Sequence, residues 1–120
     1  MIIYLSGPMS GIPEYNFPAF NAAAARLREM GYGVINPAEI EQPDIAWGVC
    51  MRNDITELMR ADTVALLPGW ENSAGSGLEI TIALALGMDI LDAHTLEPIG
   101  LDVNVDIKSK YSQPRGEGPR

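Results

Sequence analysis

Asp62-Thr63-Val64-Ala65-Leu66-Leu67-Pro68, then Ser73-Ala74-Gly75-Ser76-Gly77-Leu78-Glu79, then Ile80-Thr81-Ile82-Ala83-Leu84-Ala85-Leu86-Gly87, is the part of the chain on which the fold turns. The first segment is a short apolar run of strand type. The last is apolar nearly all round, as in a buried helix. Between them lies a glycine- and serine-rich loop, whose backbone can pass close to a ligand and present N–H groups at a helix N-terminus. Strand, loop and helix in this order place Glu79 at the C-terminal edge of a sheet, where α/β proteins bind ligands. A plainer reading stands beside it: Ser76-x-x-Glu79 also fits a capping box, with both side chains satisfying N–H groups of the first turn. On this stretch alone the two readings are evenly matched.

The pattern extends in both directions. Ile2-Ile3-Tyr4-Leu5-Ser6 reads as a buried first strand ended by the breaker pair Gly7-Pro8. Asn16 is placed to cap a helix with Phe17, Phe20, Ala24, Leu27 and Met30 at helical spacing, and Gly31 ends it. Tyr32-Gly33-Val34-Ile35 is a second strand stopped by Asn36-Pro37, and residues 38–43 form a loop. A second helix, from about residue 45 to residue 60, turns Trp47, Met51, Ile55, Leu58 and Met59 toward a core. Residues 63–67 make the third strand and Asp89-Ile90-Leu91 the fourth. Strands alternating with helices imply βαβ units and a parallel sheet. The expected fold is a single flavodoxin-like three-layer α/β domain with a small parallel sheet, spanning residues 1–107. Ile99 to Val105 offers an edge strand, and residues 108–120, with Pro114, Gly116, Gly118 and Pro119, read as a flexible tail.

Bulk properties narrow the function. A chain of 120 residues that is 47% hydrophobic supports one soluble domain with one core. No apolar run reaches the length of a membrane span, and Met1-Ile2-Ile3-Tyr4 lacks the basic start of a signal peptide, so a cytoplasmic protein is expected. The single cysteine, Cys50, excludes an internal disulfide framework and reads as a small core residue. His94 is the only histidine, which supports neither a zinc site nor a Cys–His pair. Sixteen acidic residues against eight basic ones, a net charge of −8, argue against a duplex nucleic-acid binder. A small anionic ligand held by loop N–H groups is still compatible.

Three polar groups accompany Glu79 near the strand ends. Tyr4 lies in the first strand, just before Ser6-Gly7-Pro8. Asp54 shares the apolar stripe of the second helix, and it reads either as a site residue or as a partly exposed helix aspartate paired with a neighbour such as Arg52. Asp62 opens the third strand at the opposite sheet edge and is taken as a helix-to-strand turn residue.

Tyr4-Leu5-Ser6-Gly7-Pro8, then Asn53-Asp54-Ile55 with Arg60-Ala61-Asp62, then Ser73-x-Gly75-x-Gly77-x-Glu79, in this order, resemble the nucleoside 2-deoxyribosyltransferase-like superfamily. That superfamily includes the Rcl-type deoxynucleoside 5′-monophosphate N-glycosidases. The resemblance covers residues 2 to about 91, and Leu67-Pro68-Gly69-Trp70 is similar to a segment of small uncharacterised bacterial and phage members. It implies that Glu79 is a nucleophile, that Tyr4 orients it, and that Asp54 acts near the sugar and leaving base. It further implies substrate contacts from Ser6, Gly7, Ser10, Ser73, Gly75 and Gly77. The insertion Trp70-Glu71-Asn72 would stack on or select the base. Ser73 falls where monophosphate hydrolases keep a phosphate-binding serine and transferases commonly an aspartate, which favours a 5′-phosphorylated substrate and hydrolysis. Pro8 and Ser10 stand where Rcl-type enzymes carry further serine and arginine phosphate ligands, and Gly7-Pro8 is closer to the transferases.

The implied reaction cleaves the N-glycosidic bond of a (deoxy)nucleoside 5′-monophosphate through a glycosyl ester on Glu79. Base exchange by a 2-deoxyribosyltransferase and a non-catalytic nucleotide or ADP-ribose-like signal-binding protein are the alternatives. The expected partner is a small nucleoside or nucleotide, with no metal or organic cofactor, no nucleic acid and no membrane. The resemblance also implies a homodimer or higher homo-oligomer; in this chain the stripe around Trp47 and Met51 and the segment from Leu91 to Val105 are the two features available for the contact.

Overall fold

The computed structural model describes residues 1–101. Its elements alternate as expected: β1 (Ile2–Ser6), α1 (Phe17–Glu29), β2 (Gly33–Ile35), α2 (Trp47–Leu58), β3 (Thr63–Leu66), α3 (Ala74–Ala85) and β4 (Asp89–Asp92). The four strands form one parallel sheet in the order β2-β1-β3-β4. This is the flavodoxin-like three-layer arrangement, and the strand order reverses beside β1. The crevice outside the C-terminal ends of β1 and β3 is therefore the topological switch point, the usual ligand position in open α/β sheets.

Strand alternation sorts the side chains between the two layers. Ile3, Leu5, Ala65 and Leu67 join Phe20, Ala23, Ala24 and Leu27 of α1 in one core. Tyr4, Val64, Leu66 and Ile90 face the other way and pack with Leu58 of α2 and with Ile80 and Ala83 of α3. The same alternation carries Tyr4 and Ser6 onto the α2/α3 face, so the first strand brings its two hydroxyls to the layer that contains Glu79.

Several local expectations are corrected. Asn16 precedes α1 but does not cap it with its side chain; the residue sits in the left-handed region (φ 61°), and its Nδ2 donates to the Pro8 carbonyl at 3.0 Å. Glu14 and Tyr15 are left-handed as well (φ 55° and 53°), so a tight 3-10 turn, and not a capped entry, delivers the chain into α1. The glycine-serine segment is not a loop: residues 74–79 are the first turns of α3, and the loop proper is the 3-10 turn Trp70–Asn72. The reason is Ser73, whose Oγ accepts the Ser76 N–H and starts the helix there. Met59, expected in the core, is 48% exposed, because α2 ends one residue earlier.

Beyond β4 the chain folds back. Pro98 forms an isolated antiparallel bridge with Leu91, and the Ile99 N–H donates to the Ile90 carbonyl at 2.9 Å; residues 99–101 form no strand. Residues 102–105 of the expected edge strand, the boundary at residue 107 and the expected tail lie outside the described residues. Among the described residues no helix is long and apolar enough to cross a membrane.

Candidate active site

At the switch point an open cleft lies between the end of β1, the first turns of α2 and the N-terminus of α3. Its polar wall carries Tyr4, Ser6, Asp54, Ser76 and Glu79; its apolar wall carries Met9, Phe20, Trp47 and Met51.

Glu79 stands one turn into α3, only 5% exposed. Helical side chains lean back over the preceding turn, so from this position the carboxylate reaches the cleft at the helix start. Both of its oxygens are held. The Tyr4 hydroxyl donates to Oε2, and Ser6 Oγ donates to Oε1 at 2.7 Å. The Ser6 and Ser76 hydroxyls lie 2.9 Å apart. A hydroxyl has one proton, and that of Ser6 goes to the carboxylate, so Ser76 is the donor within the serine pair. Glu79 is thus not the partner of Ser76 in a capping box. Ser73 is the cap, and the glutamate is the centre of a buried network.

Asp54 corrects the plainer of its two readings. It is 5% exposed on the buried stripe of α2, together with Cys50, Met51 and Leu58. Gln42 Nε2 donates to its Oδ1 at 3.3 Å. Asp62 is the turn residue expected: its carboxylate accepts the Ile2 N–H at 3.0 Å and the Thr63 hydroxyl at 2.8 Å, at the far end of the sheet. The Ile2 N–H, and then the Thr63 hydroxyl, hold its pKa below the usual aspartate value.

Ser6, Gly7, Ser10, Asn72, Ser73 and Gly75 all line the cleft. Gly7 is a glycine for steric reasons, since a Cβ there would stand 2.8 Å from Cβ of Leu67. Gly75 lets α3 approach α2, its missing Cβ facing Met51 Sδ at 3.1 Å. Two expected contacts do not reach the cleft. The Gly77 N–H donates to the Ser73 carbonyl at 3.0 Å as part of the helix, which leaves it no amide to offer a ligand. Trp70 packs on the core formed by Tyr4, Leu66 and Ile80, because Gly69 (φ 88°) turns the chain there and sends the indole inward.

The aromatic of the cleft is instead Trp47, the first residue of α2. Its place in the apolar stripe points to the core; its position at the helix end puts it on the rim. Ser76 and Gln42 were also missed. Ser76 was legible, three residues before Glu79 and so on the same helix face. Gln42, in an irregular loop, gave no signal.

The chain belongs to the family described as Domain of unknown function (DUF4406), which matches residues 1–92. Among solved structures it is similar to a 2-desoxiribosyltransferase from Leishmania mexicana, at 19% identity and a TM-score of 0.59, over 76% of this chain and 62% of that one. It is also similar to the 2-deoxyribosyltransferase of the psychrotolerant bacterium Bacillus psychrosaccharolyticus, at 21% identity and a TM-score of 0.60, over 92% of this chain and 82% of that one. The chain thus spans less than two thirds of the length of the Leishmania protein. No curated protein matches it. At these identities the likeness is one of fold: the chain has the nucleoside 2-deoxyribosyltransferase-like architecture.

Proposed function

We propose that this DUF4406 chain breaks the N-glycosidic bond of a (deoxy)nucleoside 5′-monophosphate, with Glu79 as the nucleophile. One observation carries the reading: a buried glutamate at the floor of an open cleft, both oxygens held by hydroxyls of β1. Such a carboxylate is oriented in advance and shielded from water, as nucleophilic catalysis at an electron-poor carbon requires. In the first step a Glu79 oxygen bonds to C1′ as the C1′–N bond breaks, through an oxocarbenium-like transition state. The bond's electron pair leaves with the base, which takes a proton from Asp54 or through a water it holds. Water then adds at C1′, releases the sugar and restores the Glu79 carboxylate. Trp47 offers a flat apolar surface for the base. Ser10, Ser73 and the N-terminus of α3 offer donors for the 5′-phosphate.

One observation favours a second reading, base exchange on an unphosphorylated nucleoside. Among the described residues no lysine or arginine lines the cleft, while Glu79 and Asp54 both do, so a dianionic phosphate meets no compensating charge. The glycosyl ester is common to both readings; they differ in the substituent on the sugar and in what resolves the ester.

The test is incubation with a panel of nucleosides, their 5′-monophosphates and NAD, with and without an acceptor base, followed by chromatography. Free base from a monophosphate without acceptor is the expected result. Base release only in the presence of an acceptor, or a higher kcat/KM for the nucleoside than for its monophosphate, moves the protein to base exchange. No release from any of them leaves a binding protein.

A further inference from the structure

The loop between the turn at Pro37–Glu39 and α2 is pinned at both ends. The Ile40 N–H donates to the Pro37 carbonyl at 3.2 Å, and Asp44 Oδ1 accepts the Ala46 N–H at 2.9 Å. Gln42 lies between these anchors, half-buried, with its amide against two consecutive side chains of α2. Asn53 Nδ2 donates to Gln42 Oε1 at 2.7 Å, and Gln42 Nε2 donates to Asp54 Oδ1 at 3.3 Å. The polarity of this chain follows from Asn53. An amide has one accepting and one donating end, and with its oxygen taken by Asn53 Nδ2, Gln42 turns its NH₂ to Asp54 Oδ1.

We infer that Gln42 is a positioning residue for Asp54, which it orients from a loop outside the helix, with Asn53 setting the direction of its amide. The inference deepens the proposed function and rests on it, since Asp54 is there the group that faces the leaving base. An aspartate on a helix has rotamers to choose from, and a displacement of about 1 Å in a reacting group costs on the order of a hundredfold in rate. A donor fixed on Oδ1 selects one orientation before substrate arrives. Partners of this kind typically contribute about 10- to 100-fold where they orient ligating or reacting groups.

Gln42 also ties the loop to α2, and the test must separate the two roles. Gln42→Glu keeps an oxygen for Asn53 Nδ2, and with it the tie, but replaces the donor facing Asp54 with an acceptor. Gln42→Met keeps the length and removes both ends. If Gln42 positions Asp54, kcat for base release in folded Gln42→Glu protein falls at least about tenfold while KM changes less than about threefold, and the carboxylate set against Asp54 lowers Tm as well. Wild-type kcat in folded Gln42→Glu protein reduces the residue to a tie and overturns the inference.

An independent arm needs no turnover. In ¹⁵N-labelled protein, the Gln42 side-chain NH₂ resonances, assigned by their loss in Gln42→Met, are expected to shift on Asp54→Asn and to exchange slowly with water. Unshifted, rapidly exchanging resonances overturn the inference. If the wild type releases no base from any substrate, the function falls, and this arm still decides whether Gln42 holds Asp54.

Discussion

The Tyr4 hydroxyl donates to the carboxylate of Glu79 across 75 residues of sequence, joining the middle of β1 to the second turn of α3. Tyr4 is fully buried, so its ring is core and its hydroxyl is site. One residue thereby couples the packing of the sheet to the orientation of the proposed nucleophile.

Tyr4→Phe keeps the ring and removes only the hydroxyl. The lost hydrogen bond to a buried carboxylate costs about 1.5–3 kcal/mol of stability. Turnover is expected to fall by about one to two orders of magnitude with KM little changed, because an orienting partner is lost and no substrate contact. Urea unfolding and steady-state base release measure the two effects separately.

Glu79→Gln is nearly isosteric, and the hydroxyls of Tyr4 and Ser6 can rotate to suit an amide. The protein is expected to fold with a Tm close to wild type and to lose at least about a thousandfold in kcat, as removal of a nucleophile does. Circular dichroism and chromatographic base release decide it. Full turnover in folded Glu79→Gln protein would remove the nucleophile from the scheme.

Gly7→Ala and Gly75→Ala are expected to differ in kind. At Gly7 the new methyl meets Cβ of Leu67 at 2.8 Å, an atom that moves only with the backbone. The expected cost is about 1–3 kcal/mol. At Gly75 the methyl meets Met51 Sδ at 3.1 Å, on a flexible side chain, in the first turn of α3 where alanine is also tolerated. Gly75→Ala should stay within about 1 kcal/mol of wild type. Denaturant midpoints at constant m-value give both numbers.

Acid stability is expected to depend on Asp62, exposed just before β3, and Asp92, half-buried at the end of β4. Asp92 accepts the Thr95 N–H and then the His94 N–H, and these hold its pKa below the ordinary aspartate value; at Asp62 the Ile2 N–H does the same. A carboxylate with a lower pKa folded than unfolded contributes stability that is full above the unfolded value, about 3.9, and is lost as pH falls through the folded one. In Asp62→Asn/Asp92→Asn protein the stability at pH 7 should be lower and its decline below about pH 4 shallower. Equal acid slopes in the two proteins would remove these carboxylates from the account.

The protein is expected to assemble, with the exposed Ile45 and the half-exposed Trp47 beside the cleft as contact residues. Light scattering at micromolar concentration should give a multiple of the 13.0 kDa chain mass. A mass of 13.0 kDa in a sample that releases base would exclude a site shared between subunits.

The alternation of apolar runs with amphipathic helices was enough to set the element order and the parallel sheet, because those depend on local periodicity and on the length of the connections. Ser73 to Glu79 was also visible as a polar interruption before a buried helix. Which side chains meet was beyond such reasoning. Tyr4, Ser6 and Glu79 converge only because strand phase puts the two hydroxyls on the α2/α3 face and α3 starts at Ala74. Spacing did not distinguish a buried Asp54 from an exposed one, nor Trp47 on the rim from Trp70 in the core, since the answer depends on where α2 begins and how Gly69 turns the chain. Gln42 reaches Asp54 from a loop with no periodicity, and its meaning arises entirely from the two side chains that α2 sets against it. Local pattern is a property of neighbours along the chain; a site made by groups more than 70 residues apart exists only once the sheet has closed.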